Sequence, residues 1–379
     1  MTCALPAAER AGIPDVAGAP DASRPGARAK TIGAAEALAG LARFHTIIDV
    51  RSESEFAFDH LPGAVNCPVL SDEERVRIGT LYKQASPFHA RRAGAALVAA
   101  NVARHLSSCL RERPRDWSAL VYCWRGGERS AALVHVLDRI GWNVHQLEGG
   151  YRAFRRFVVQ ELTRLPPLLR MRVLCGATGS GKSRLLWHLE RCGAQMLALE
   201  SLAAHRGSVL GNLPGCPQPS QKRFETRLWW ALRQIDPART VFVESESRRI
   251  GSCQVPDALL DAMRSSDCVK LELSAQQRIR LLRDEYRHYE SCPQLLAEQL
   301  ETLAALHGKD VVERWQSLAR SGQWDELVAR LLEEHYDPVY SRSIRTNYRR
   351  AAEAGRVSLP SADEAQFEQA ARELVAQER

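Results

Sequence analysis

The chain has 379 residues, enough for two or three domains with separate cores. Its 45% hydrophobic and 26% charged content is that of an ordinary water-soluble protein, and no apolar run approaches the roughly 18 residues that span a bilayer. A net charge of +7 suits a polyanionic partner without choosing among RNA, DNA and a small phosphate.

Residues 1–29 are rich in Ala, Gly and Pro, lack hydrophobic periodicity, and read as a disordered extension. They hold no continuous apolar stretch of the kind that opens a secretory signal, so the chain is expected in the cytoplasm. Order is expected to begin with an Ala/Leu helix near Ala34–Leu41. The run Thr46–Val50 then reads as a buried strand. Ser118–Tyr122 is a second apolar strand, followed by helical spacing over Ser130–Ile140, a third strand over Trp142–Leu147, and a turn at Glu148–Tyr151.

A helical stretch over Tyr151–Leu165 and the pair Pro166-Pro167 mark a boundary. Beyond it, Met171–Cys175 is a strand, Lys182–Arg191 a helix, and Thr240–Glu244 a further apolar strand. The chain then becomes charged and helical, over Ala275–Tyr289, Pro293–Leu306 and Gly322–Glu334. Alternating strands and helices argue for α/β architecture. The expected layout is a parallel-sheet domain over 30–165, with its linker helix, and a P-loop α/β domain with a helical C-terminal region over 170–379.

Two loops carry the chemistry. The first is Cys123-Trp-Arg-Gly-Gly-Glu-Arg-Ser130, placed between a buried strand and a helix. Backbone N–H groups converge there, and the helix N-terminus favours thiolate over thiol. Gly126 and Gly127 let the backbone curl around the sulfur, while Arg125 and Arg129 offer positive charge to an incoming anion. Such a pocket suits a thiolate, a persulfide or a perselenide, and equally the nucleophile of a cysteine phosphatase. The other nine of the 10 cysteines read as small buried hydrophobes, and with no C-x-x-C pair a zinc ribbon is not expected.

The second loop, Gly176-Ala-Thr-Gly-Ser-Gly-Lys-Ser183, matches the phosphate-binding pattern G-x-x-x-x-G-K-[ST] in full. Gly176, Thr178, Gly179, Ser180 and Gly181 would turn amides toward phosphate oxygens at a helix N-terminus. Lys182 would reach the terminal phosphates and the Ser183 hydroxyl could hold Mg²⁺. No metal ligand set is assigned beyond that. Glu244 and Glu246, at a strand end, read as a metal ligand, a base or a solvated edge. Glu200, His205 and Arg206 form a second candidate group. Arg280, Arg283 and Arg287 share a helical face by spacing and are candidate contacts for the phosphates of a polyanion, a charge run that equally describes a solvated face. Trp229 and Trp230 read as core.

Ile47-Ile-Asp-Val-Arg51, Glu55, His60-Leu-Pro-Gly-Ala64, Asn66 and Pro68, with the Cys123 loop and Glu148–Tyr151, resemble the rhodanese family. Asp49 and Arg51 are expected to be scaffold, with Arg51 paired to Asp49 or Glu55. The whole order is similar to that of the tRNA 2-selenouridine synthase family over about residues 40–350. The resemblance runs through both loops and through Leu199–Ser208, Val243–Gly251 and Leu331–Tyr340.

That resemblance implies two reactions at a wobble 2-thiouridine of tRNA. Its sulfur is alkylated from geranyl diphosphate, and the S-geranyl group is then displaced using selenophosphate to leave 2-selenouridine. The departing diphosphate needs cationic stabilisation, which Lys182, Ser183 and the loop amides could give, and Cys123 would serve the selenium step. It also implies tRNA as partner, selenophosphate synthetase as a candidate partner, and neither membrane nor DNA. Whether the loop also takes ATP or GTP stays open. So does a different reading, a rhodanese-type sulfurtransferase joined to a P-loop ATPase or kinase that delivers sulfur to a partner protein. A cyanide-detoxifying sulfurtransferase or a thiol-and-nucleotide sensor is a third.

Overall fold

The computed structural model describes residues 30–378, so the extension read over residues 1–29 lies outside the described residues. They divide into two compact units, 30–161 with Glu225–Arg227, and 162–224 with 228–378.

The first unit is built on β1 (Lys30–Ile32), β2 (Thr46–Asp49), β3 (Ala64–Asn66), β4 (Ser118–Tyr122) and β5 (Asn143–Leu147). All pairings are parallel, in the order β1-β5-β4-β2-β3. Every residue of β2 and β4 is buried, which is why both read as unbroken apolar runs. The strand order reverses between β4 and β2, and α/β sheets bind ligands off the carboxyl ends of strands at such a point. The register sets Asp49 opposite Tyr122. Cys123 therefore leaves the sheet where the fold is already open.

An ion pair fixes that edge. Arg51 Nη2 lies 2.6 Å from Asp49 Oδ2 with both side chains fully buried, and the same nitrogen donates to the Asp59 carbonyl at 2.6 Å. Losing one partner of a buried pair costs about 3–5 kcal/mol, because the other charge is left unmatched. Of the two partners expected for Arg51, the structure selects Asp49. Glu55 instead closes a capping box on Ser52 and pairs with Arg75 and Arg129.

The second unit holds β6 (Met171–Cys175), β7 (Gln195–Leu197), β8 (Val241–Glu244), a short antiparallel ribbon of β9 (Arg249–Ile250) and β10 (Cys253–Gln254), β11 (Asp267–Glu272) and β12 (Gly355–Ser358). Its main sheet is parallel, in the order β12-β11-β6-β8-β7, with β6 central. Leu185, Leu186 and Leu189 of helix Lys182–Arg191 share one apolar core with Phe367, Ala371 and Leu374 of helix Glu364–Gln377. A separate helical core gathers Tyr289, Leu300, Trp315, Leu327 and Leu331. No helix among the described residues is long and apolar enough to cross a membrane.

Several expectations need correction. A three-residue edge strand precedes the first helix, which spans Ala34–Ala39 and ends in a 3₁₀ turn. The helix read over Ala275–Tyr289 stops at Glu285 and restarts as Arg287–Ser291, and that over Pro293–Leu306 splits at Thr302–Leu303. The stretch Gly322–Glu334 is an α-helix from Trp324 to Leu331 that widens into a π-helical turn, Leu332–Tyr336. Glu148–Tyr151 is a turn only at its start, since a helix begins at Gly150. Among the cysteines read as buried, Cys109 and Cys292 are exposed. Of the two tryptophans read as core, Trp229 is buried and Trp230 only partly so.

Candidate functional site

Cys123 is buried to 2% exposure at the head of helix Glu128–Ile140. The Gly127 amide donates to its Sγ at 3.3 Å and the Ser130 hydroxyl at 3.2 Å. Gln146 Nε2 donates to Ser130 Oγ at 2.8 Å, and the single Ser130 proton is shared between the sulfur and the Gly127 carbonyl, 3.1 Å from the hydroxyl. Burial by itself pushes the Cys123 thiol up. Hydrogen bonds from Ser130 and from the Arg125 and Gly127 amides outweigh it and bring the thiol below its ordinary value.

Two glycines are obligatory here. Gly126 has φ +69, and a Cβ on it would stand 2.6 Å from the Leu147 carbonyl; one on Gly150, φ +54, would meet the Cys123 carbonyl. Arg125 is exposed. Arg129, expected to offer positive charge to an incoming anion, is bonded to Glu55 at 3.1 Å. Ser130 and Gln146 were not among the candidates; Ser130 closes the loop motif, while Gln146 is one polar residue in an adjacent strand and gives no local signal.

Replacing Ser130 by alanine removes one stabilising donor from the thiolate. The rate of Cys123 alkylation by iodoacetamide, followed against pH, should rise through a midpoint below that of an ordinary thiol in the native chain. The midpoint should move upward in Ser130→Ala. An unmoved midpoint would mean that the hydroxyl does not feed the sulfur.

In the second unit the loop 176–181 joins β6 to helix Lys182–Arg191, with Gly181 as N-cap in the left-handed region, φ +84. Its tight wall explains the glycines. A Cβ on Gly179 would stand 2.8 Å from Leu282, and one on Gly181 would run into Phe367. Lys182 Nζ donates to the Gly176 carbonyl at 2.7 Å and lies 5.2 Å from the Tyr340 ring centre, and the Gly176 amide donates to Tyr340 Oη. The buried Ser180 hydroxyl has no hydrogen-bond partner. Arg278 donates to the Thr178 carbonyl at 2.9 Å and pairs with Asp337, so it braces the loop from behind.

The acids converge on Ser183. Its Oγ lies 2.9 Å from Glu200 Oε2 and 3.2 Å from Glu244 Oε2, and the Glu200 amide donates to Glu244 Oε1 at 2.8 Å. Glu246 faces Glu200 across Gly207, where a Cβ would crowd both carboxylates. Burial, then the neighbouring Glu200, pushes Glu244 up to about 8. Burial raises Glu200 and Glu246 as well, and Glu246 is pushed further by Glu200 and Glu244. Lys182 acts on all three carboxylates, and Arg206 on Glu200 as well. Oxygen donors with unmatched negative charge fit Mg²⁺, and Ser183, Glu200 and Glu244 are the residues that would hold it.

Arg206 donates to the Glu285 carbonyl and lies 4.7 Å from the Tyr286 ring centre. His205 does not join the acids. It is buried, accepts the Gly207 amide at 3.2 Å and packs under Gly211, so it shapes the turn that presents Arg206. Tyr340 was visible only as part of a resembling segment, and its contact with Gly176 is set by tertiary structure.

Beside this loop runs a narrow apolar slot. Thr178 of the phosphate loop lines it, with Leu282, Tyr286, Val328, Leu331 and Tyr336 among the walls. The π-helical turn contributes Leu332 and Tyr336; such turns are frequent at functional sites.

Arg280, Arg283 and Arg287 line one open groove of about 1040 Å³, on two helices rather than one. Acids are interleaved with them. Arg283 is held by Glu290 and Asp325 at 2.9 Å each and Arg287 by Asp284 at 2.8 Å, while Arg280 is 3.9 Å from Asp363. Arg280 and Arg287 remain largely exposed, so a polyanion would meet them first.

Residues 169–301 match the family model for the tRNA 2-selenouridine synthase AAA domain, and residues 33–157 match that for the rhodanese-like domain. A tRNA 2-selenouridine synthase of Shewanella loihica is 33% identical over 345 residues, 83% of this chain and 91% of the relative. One from Shewanella halifaxensis is 31% identical over 79% of this chain and 89% of its own length. One from Nitrosomonas europaea is 35% identical over 63% of each.

Proposed function

The chain belongs to the tRNA 2-selenouridine synthase family, and from that premise we propose that it works in two steps, geranylation of a tRNA 2-thiouridine and then replacement of the S-geranyl group by selenium. In the first step the thiouridine sulfur attacks C1 of geranyl diphosphate. The C–O bond breaks, diphosphate leaves with the electron pair, and the nucleoside loses its N3 proton. A thiocarbonyl sulfur leaves poorly, whereas the alkylated sulfur leaves as a thiol, so alkylation prepares the second step.

The observation that carries this reading is the union of the phosphate loop with the apolar slot at Thr178. A diphosphate on the loop amides and Lys182 would have its hydrocarbon tail beside Leu282, Tyr286 and Tyr336. A nucleotide would ask that slot to take a sugar and a base instead. Mg²⁺ held by Ser183, Glu200 and Glu244 would neutralise diphosphate oxygens. In the second step the Cys123 thiolate attacks C2 of the S-geranylated base and expels geranyl thiol. The selenium of selenophosphate then displaces the cysteine sulfur from C2, and hydrolysis of the Se–P bond releases phosphate and leaves 2-selenouridine.

Val328 is half-buried in the slot wall, where a larger ring can be added without opening a core. Val328→Phe is expected to raise KM for geranyl diphosphate roughly 10-fold or more, the scale of a misfitted apolar pocket. Binding of inorganic diphosphate should stay unchanged. Steady-state kinetics and calorimetry check both, and an unaltered KM would remove the tail from this slot.

A further inference from the structure

Cys67, His105 and Cys109 bring three metal-binding atoms within 4.8 Å of one another. Cys67 follows β3 directly, whereas His105 lies in the last turn of helix Pro87–Ser107 and Cys109 just beyond it. The two sulfurs are 3.5 Å apart, and Cys109 Sγ is 3.9 Å from His105 Nδ1. Ligands of tetrahedral zinc, with Zn–S about 2.3 Å and Zn–N about 2.0 Å, stand roughly 3.5–3.8 Å apart. The three atoms already sit near three corners of such a tetrahedron.

The histidine is held in the form that a metal needs. His105 Nε2 lies 2.9 Å from the Pro68 carbonyl, which can only accept. The ring proton is therefore on Nε2, and Nδ1, the atom toward the thiols, keeps its lone pair. A disulfide between the same cysteines would need the sulfurs at about 2.05 Å and would give this tautomer no purpose.

We propose that Cys67, His105 and Cys109 form a site for a thiophilic divalent cation, Zn²⁺, with water in the fourth position. Both thiols lose their protons on binding, so two protons leave for each ion taken up. The ion would clip the end of helix Pro87–Ser107 to the segment after β3. Cys67 belongs to the same buried cluster as Cys123, so the clip would steady one wall of the thiol loop's core. This site stands independently of the prenyl reading. The sequence spoke against a zinc ribbon because C-x-x-C is lacking; here one ligand comes from a distant segment.

The test uses the full reduced chain in a Cys123→Ala background, which keeps that reactive thiol out of the measurement. After loading and dialysis, elemental analysis should find one Zn²⁺ per chain, and Co²⁺ should give the sulfur charge-transfer band of a tetrahedral thiolate site. Cys109 is exposed, so Cys109→Ser should fold normally by circular dichroism. It should lose the band and bind Zn²⁺ about 10–100-fold more weakly, as should His105→Ala. A chain that retains no Zn²⁺, or a cobalt band unchanged in Cys109→Ser, would overturn the proposal. So would a Cys67–Cys109 disulfide that, once reduced, leaves thiols with no affinity for either metal.

Discussion

Cys123→Ser is expected to yield tRNA that carries S-geranyl-2-thiouridine and no 2-selenouridine. The pocket stabilises a sulfur anion through the Gly127 amide, the Ser130 hydroxyl and the head of a helix. Serine keeps the size and the hydrogen bonds, but a hydroxyl is not ionised there at neutral pH and is a far weaker nucleophile. Loss of the nucleophile should slow selenation by at least ~10³-fold. Geranylation draws on residues of the other unit and should proceed at close to the native rate. Mass spectrometry of the digested nucleosides separates the two products by mass. Selenouridine formed by Cys123→Ser at the native rate would remove the thiol from the reaction.

Lys182→Ala is expected to do the reverse. Its ammonium is bonded to the Gly176 carbonyl of the phosphate loop, and on the proposed reading it is the cation that meets the departing diphosphate. Charge that develops in the transition state makes such a group worth about 10²–10³-fold in rate. Its hydrogen bond to the Gly176 carbonyl contributes only about 1 kcal/mol to the fold, so the variant should stay native by circular dichroism. Geranylation should drop by that factor. Selenation of tRNA already carrying the S-geranyl group should be untouched. Equal loss of both reactions would mean that the phosphate loop takes part in each, or that the variant is misfolded.

Much of this was legible because buried parallel strands write themselves as apolar runs. Ser118–Tyr122 and Met171–Cys175 could be read to the residue, and each leads into its loop. Helix Lys182–Arg191 followed from the phosphate motif and its leucine spacing. Short elements were not legible. Lys30–Ile32 is a strand only because β5 accepts it along its edge, and Gln195–Leu197 only because β8 does. The spacing over Ala275–Tyr289 is continuous, yet the backbone breaks at Tyr286.

At the sites, the residues inside the two motifs came from pattern alone. Their partners did not. Gln146 reaches Ser130 from an adjacent strand, Tyr340 reaches Gly176 across 164 positions, and Glu55 reaches Arg129 across 74. Sequence spacing carries no trace of such contacts. The same reason hides the slot, whose walls come from the phosphate loop, helix Ala275–Glu285, helix Trp324–Leu331 and the π-helical turn. The same holds for His205, grouped by sequence with Glu200 and Arg206 as a candidate contact: its burial and its bond to Gly207 exist only in the folded turn.

The most direct measurement supplies the full chain with 2-thiouridine tRNA and geranyl diphosphate, then selenophosphate, and follows the wobble nucleoside by mass spectrometry. The expected course is conversion to S-geranyl-2-thiouridine with the first donor and to 2-selenouridine with the second. Unmodified 2-thiouridine after both donors, or 2-selenouridine formed equally fast without geranyl diphosphate, would contradict it.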